Sequence, residues 1–130
     1  MKAIKQYDEL IRQIKAGERK YDYREADNAD LFEAYWDDID KGRDTIDFHD
    51  VLWDDRIPEL VDAMLEHGVY EFTISSGASR IQETILAIMN AGYGATLDGI
   101  RMVFTGNTDW EGNRVMAPAF LMHLIVPEKF

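Results

Sequence analysis

Apolar residues recur every three or four positions at the start of the chain, at Ile4, Tyr7, Ile11 and Ile14 with Leu10 beside them. That spacing predicts an amphipathic helix over residues 2–16, stopped by Gly17. The polar stretch ERKYDYREADN reads as a linker, after which Asp27 or Asn28 is placed to cap a second helix. Leu31, Tyr35 and Ile39 share one face of that helix, Phe32 and Trp36 lie beside it, and Gly42 ends it. The run IDFHDVLWDD is ambiguous by pattern, a short strand or one helical turn, and is read as irregular, an acidic loop around Phe48, Val51 and Leu52. Asp54 and Asp55 precede Ile57-Pro58, and proline is tolerated in the first turn of a helix. Leu60, Val61, Met64 and Leu65 give this third helix its buried stripe, and Gly68 closes it.

From residue 69 the period becomes two. VYEFTIS alternates as a strand does, with Tyr70, Phe72 and Ile74 on one side. Ser79 with Gln82 matches a capping box, and Ile81, Ile85, Ile88 and Met89 form the stripe of a fourth helix terminated by Gly92. After the connection GYGATLDG, IRMVFTG predicts a second strand, NTDWEGN a hairpin loop with Gly112 free to take a positive φ, and PAFLMHLIV a third strand. The third strand is apolar on both faces, which places it inside its sheet. The hairpin makes it antiparallel to the second strand, while the helical crossover makes the first and second strands parallel. Only a central third strand satisfies all three statements. The expectation is a single α+β domain over residues 1–130, helical and acidic through 68 and βαββ from 69. It comprises three N-terminal helices, then a small three-stranded mixed sheet with its C-terminal strand central and the helices mainly on one face.

Charge sharpens the picture. The formal net charge is -11, and it is unevenly spread. Residues 1–21 carry six bases and three acids, residues 22–66 four bases and sixteen acids, and residues 67–130 four bases and six acids. The middle segment repels nucleic-acid backbones, which are bound by neutralising phosphates with Lys and Arg, so direct DNA or RNA binding is disfavoured. A basic protein surface is the expected partner, because complementary fields speed encounter and reject wrong partners. With no cysteine there is no disulfide framework, thiolate metal site or cysteine nucleophile. No stretch approaches the roughly 18 apolar residues of a membrane span, and the N-terminus lacks a secretory apolar run, so a cytoplasmic location is expected.

Two stretches carry candidate chemistry. In FTISSGASR a strand, a small-residue turn and a helix N-terminus supply the ingredients of an anion site, with Ser75, Ser76, Gly77, Ser79 and Arg80 as candidate contacts for a small phosphorylated ligand. Phosphate fingerprints need further glycines or a Gly-Lys-Ser/Thr ending, and capping alone accounts for these residue types. In IDFHDVLWDD, His49 gathers Asp47, Asp50, Asp54 and Asp55, acceptable ligand types without the spacing that fixes a metal geometry, so no metal is assigned. No serine-triad elbow occurs, no glycosidase pair is singled out, and no cofactor is expected. Trp36 and Trp53 suit the edge of the core. Trp110, in a hairpin loop between Asp109 and Glu111, suits a partner anchor.

The phrases IDFHDVLW, YEFTISSG and NTDWEGN resemble segments of a family of small uncharacterised acidic proteins of gut bacteria and their mobile elements. The resemblance covers roughly residues 45–125 and implies no catalytic residue. It implies a setting in which small acidic proteins inhibit host restriction and CRISPR systems by presenting carboxylates where the target expects phosphates. The functional expectation is a non-enzymatic binding protein. Its contact surface is drawn from Asp30, Glu33, Asp37, Asp38, Asp40, Asp44, Asp47, Asp54 and Asp55, with Trp110 as an anchor. An enzyme or sensor for a phosphorylated ligand at Ser75 to Arg80 is the alternative.

Overall fold

The computed structural model of the chain describes residues 1–50 and 52–128. Its elements run α1 (Lys5–Lys15), a single 3-10 turn (Tyr23–Glu25), α2 (Ala29–Lys41), β1 (Asp47–Phe48), α3 (Ile57–His67), β2 (Glu71–Ser75), α4 (Ile81–Met89), β3 (Ala95–Thr108) and β4 (Arg114–Leu124). The α+β class holds. The sheet has four strands rather than three, in the order β1-β2-β4-β3. The extra strand comes from the stretch read as irregular, where Asp47 and Phe48 pair in parallel with Thr73 and Ile74. Two residues are too few to show an alternation, which is why the pattern does not reveal it. The C-terminal strand is central as expected, antiparallel to β2 on one side and to β3 on the other.

Of the four helices described, α2 alone starts on a side-chain cap for its first backbone N–H groups. Asn28 caps α2, its Oδ1 accepting from the Leu31 N–H at 2.9 Å. Asp27 is left free to join three helices, accepting from the Tyr7 hydroxyl of α1 and sitting 2.7 Å from Nε2 of His67 in α3. Burial alone would raise the Asp27 carboxyl, but these hydrogen bonds and the His67 charge hold it below its ordinary value. α1 has no side-chain cap and begins at Lys5 rather than Lys2. The Ile4 N–H donates instead to the Tyr35 hydroxyl (3.1 Å), which donates to Asp8 (2.6 Å).

The core gathers Tyr7, Leu31, Phe32, Tyr35, Leu60, Met64 and Ile88 from the helices with Phe48, Phe72, Ile74, Met122 and Leu124 from the strands. By register these strand side chains share one sheet face. Two expected core positions are exposed, Ile39 of α2 and Met89 of α4. Leu31, Tyr35 and Asp38 are spaced four and three apart, so the buried face of α2 ends on a carboxylate and Ile39 is turned outward.

β3 is longer than expected because Ala95–Gly99, read as a connection, is strand. Between Leu97 and Ile100, and again between Phe104 and Thr108, it inserts extra residues relative to β4. Such bulges bend a strand and increase its twist. The bent hairpin brings the Phe104 and Thr105 carbonyls to the Arg43 guanidinium, at 2.6 and 3.2 Å. At the hairpin tip Gly112 takes a φ of 86°, the positive value its position predicts.

Candidate functional site

The acidic segment separates into a buried network, a set of surface ion pairs and an unpaired row. The network is centred on Asp38, which is fully buried. It accepts from Arg43 Nη1 (2.9 Å) and from the Asp47 backbone N–H (3.0 Å). Burial pushes the Asp38 carboxyl up to about 7, against the opposing pull of those two donors. Asp47 is also buried, accepting from the Thr73 hydroxyl at 2.6 Å, and burial raises its carboxyl too. Arg43 reaches Asp37 as well, at 2.6 Å. Asp38 and Asp47 therefore leave the expected contact surface: they anchor the end of α2 and the start of β1 to the sheet.

Five of the remaining candidates are surface pairs: Asp30 with Arg56 (2.9 Å), Asp37 with Lys41 (3.1 Å), Asp40 with Lys15 (3.1 Å), Asp44 with Arg101 (3.0 Å) and Asp54 with Arg80 (3.2 Å). Glu33 accepts from the Tyr21 hydroxyl (2.6 Å) and stays exposed, and Asp55 is exposed without a basic partner among the described residues. Asp55 is the first member of a row the sequence reading missed. Glu59, Asp62 and Glu66 follow it at intervals of four, three and four, all exposed and none paired with a base among the described residues. The last three lie on the outer face of α3, spanning about 10 Å at 1.5 Å per residue, and Asp55 precedes them in the turn that leads into the helix. The signal was present in the sequence, since the same periodicity that identified the buried stripe of α3 also identifies the polar face opposite it.

The strand-to-helix turn differs from expectation. Ser79 and Gln82 form no capping box: the N-cap is Arg80, in the left-handed region at φ 57°, and no side chain caps α4. Ser75 turns inward on the loop, its Oγ accepting from the Gly77 N–H at 3.3 Å, while the Ser76 N–H donates to the Pro118 carbonyl at 3.3 Å. The Arg80 guanidinium is shared between Asp54 and the face of Trp53, 5.8 Å from the ring centroid. A carboxylate thus stands where a bound phosphate would need the cation. His49 lies 3.4 Å from Asp37 and 3.8 Å from Asp47, and no group of three or more potential metal ligands assembles among the described residues. In the loop expected around Phe48, Val51 and Leu52, the first and last are buried and Val51 lies outside the described residues. Trp36 is half-buried against Phe32, Trp53 is half-exposed, and Trp110 stands 92% exposed at the hairpin tip.

A cleft of about 430 Å³ has Lys2, Asp44, Glu71, Arg101 and His123 among its lining residues. Arg101 spans Glu71 (3.1 Å) and Asp44 (3.0 Å), and His123 hydrogen-bonds Asp98 through Nδ1. The contacts of Arg101 with Glu71 and of His123 with Asp98 tie β3 to β2 and β4 to β3.

A family model described as a domain of unknown function, DUF7698, matches residues 30–124. The chain belongs to that family. The matched span runs from the first turn of α2 to the end of β4, so it takes in the buried Asp38–Arg43 network, the α3 row and the whole sheet. Comparison with curated proteins and with solved structures finds no match. Among the described residues, no helix is long and apolar enough to cross a membrane.

Proposed function

We propose that this chain is a non-enzymatic binding protein that acts by contact with a basic protein surface. The observation that carries the reading is the α3 row, three exposed carboxylates on one helical face with Asp55 in the turn before it, none with a base beside it among the described residues. Unpaired surface carboxylates present their full field to a partner, whereas those beside Arg or Lys are largely neutralised. The contact surface accordingly moves from α2, where most acids are paired or buried, to Asp55, Glu59, Asp62 and Glu66, with Glu33 adding to the field. A net charge of -11 extends the same sign over the molecule and steers a cationic partner toward it.

Regularly spaced carboxylates on a rigid helix are suited to the groove of a nucleic-acid-processing protein, in which Lys and Arg await phosphates. Inhibition of such a complex, in the mobile-element setting the sequence resemblance implies, is the function we assign. Trp110 supplies a second, apolar anchor.

The test is a variant with Asp55, Glu59, Asp62 and Glu66 all changed to Lys, compared with the parent in partner capture from host lysate at low and high salt. The parent should capture basic proteins at low salt and release them at high salt, and the variant should capture none of them. Equal capture by a folded variant removes the α3 row from the mechanism.

A further inference from the structure

β1 and β2 pair only from Asp47 and Thr73 onward, and the residues leading into the two strands line the 430 Å³ cleft together. Thr45 is 4% exposed, yet among the described residues neither its hydroxyl nor its backbone N–H has a hydrogen-bond partner. Buried donors are almost always paired, so two open ones on a single residue call for an acceptor. No described polar side-chain atom is both sealed from solvent and unpaired, so the Thr45 hydroxyl opens into the cleft its residue lines. The Lys2 ammonium lies across Gly68 in the same cleft, 3.6 Å from where a Cβ at Gly68 would stand, and pairs with no carboxylate among the described residues. Acids stand there too. Asp44 and Glu71 each give one oxygen to Arg101, at 3.0 and 3.1 Å, and keep the other free of hydrogen bonds among the described residues. The free Glu71 Oε2 is 3.7 Å from His123 Nε2, beyond hydrogen-bond reach.

We propose that this cleft binds a free α-amino acid with a large apolar side chain. The unpaired donors of Thr45 and Lys2 receive its carboxylate, and the free oxygens of Asp44 and Glu71 receive its ammonium. Charge decides between ligand classes. A simple anion meets two carboxylates on a molecule of net charge -11, and a simple cation meets Lys2 and Arg101. A zwitterion satisfies both signs at once and brings no net charge of its own.

Size and lining select the side chain. Small-molecule sites span about 300–1,000 Å³ and are mostly apolar with a few placed polar groups, and this cleft lies within that range. Ile46 and Val69 are buried beside Thr45 and Gly68, and Tyr70 is half-exposed next to them, so apolar surface adjoins the charged groups. A ligand of about a dozen heavy atoms held partly by exposed charges binds with a dissociation constant on the order of 1 mM.

Heteronuclear NMR of the isotope-labelled whole chain, titrated with L-phenylalanine and L-leucine to about 20 mM, covers the affinity expected for so small a ligand. The amides of Thr45, Ile46, Val69, Tyr70 and Glu71 should shift and saturate. Phenethylamine, which lacks the carboxylate, and hydrocinnamate, which lacks the ammonium, should each bind at least tenfold more weakly than L-phenylalanine. Thr45→Val keeps the shape and removes only an unpaired hydroxyl, so it should weaken binding severalfold and leave the melting temperature no lower than the parent's. Should that variant fail to fold, Lys2→Met, at an exposed position, is read in the same way. A ligand without net charge is insensitive to the α3 charge reversal, which keeps this outcome separate from that of the proposed function. Absence of saturation with both amino acids overturns the proposal, as does parental affinity in folded Lys2→Met or Thr45→Val. Binding of phenethylamine or hydrocinnamate as tight as that of L-phenylalanine overturns it too.

Discussion

Replacing Arg43 by methionine keeps the aliphatic stem and removes the guanidinium that joins α2, β1 and β3. Four contacts go with it: Asp37 at 2.6 Å, Asp38 at 2.9 Å, and the Phe104 and Thr105 carbonyls at 2.6 and 3.2 Å. Asp38 keeps one donor, the Asp47 N–H, and remains fully buried. Breaking a buried ion pair by removing one partner costs about 3–5 kcal/mol, because the other charge stays desolvated. The loss should depend on pH. The folded-state value for Asp38 is already raised to about 7, above that of the unfolded chain, so protonation stabilises the fold in acid and that contribution is lost as pH rises through about 7. Without Arg43 the proton is held more tightly still. The deficit of Arg43→Met should therefore be largest at about pH 8 and shrink toward about pH 5. Adding Asp38→Asn should recover part of it, since the amide oxygen still accepts from the Asp47 N–H without a charge to desolvate. Urea unfolding followed by tryptophan fluorescence reads these differences as shifts in midpoint at constant slope. A loss below about 1 kcal/mol at both pH values, or an Asp38→Asn change that deepens the deficit, refutes a buried, charge-dependent role for this pair.

Two further substitutions probe other parts of the molecule. At Gly92, φ is 54° and an added Cβ would lie 2.9 Å from Val61 Cγ1, so Gly92→Ala should lower stability by about 1–3 kcal/mol, measured by calorimetry; an unchanged melting temperature would show that α3 and the turn after α4 are not in firm contact. Trp110→Ala should leave stability within about 0.5 kcal/mol, because the ring is almost wholly exposed, yet weaken capture of a basic partner; undiminished capture assigns the ring no part in binding.

Most of the architecture could be read from periodicity. The four helices, the central position of the last strand and the parallel relation of its neighbours follow from spacing, strand polarity and crossover rules. The failures share a physical cause. Asp38 has the helical phase of a core residue, but its charge assigned it to the surface, and only the tertiary placement of Arg43 makes its burial tolerable. The two residues of β1 are ordered by their neighbour β2, which no local pattern reports. Ser79 has the right partner three residues on for a cap, yet the chain enters α4 through Arg80, drawn toward Asp54 and Trp53, which lie far away in sequence. At the candidate site, total acidity was the wrong quantity to follow. What matters is which carboxylates lack a cation, and among the described residues eight of the sixteen acids in residues 22–66 find an Arg or Lys, several of them far away in sequence.

The strand order also has a consequence for how the molecule is made. β4 leaves the ribosome after the other three strands described and occupies the middle of the sheet, between strands completed earlier. Until residues 114–124 emerge, among the described residues β2 has only the two-residue β1 beside it and β3 has no strand to pair with. The helical half can collapse during translation, but the sheet can be assembled only after synthesis has passed its final strand.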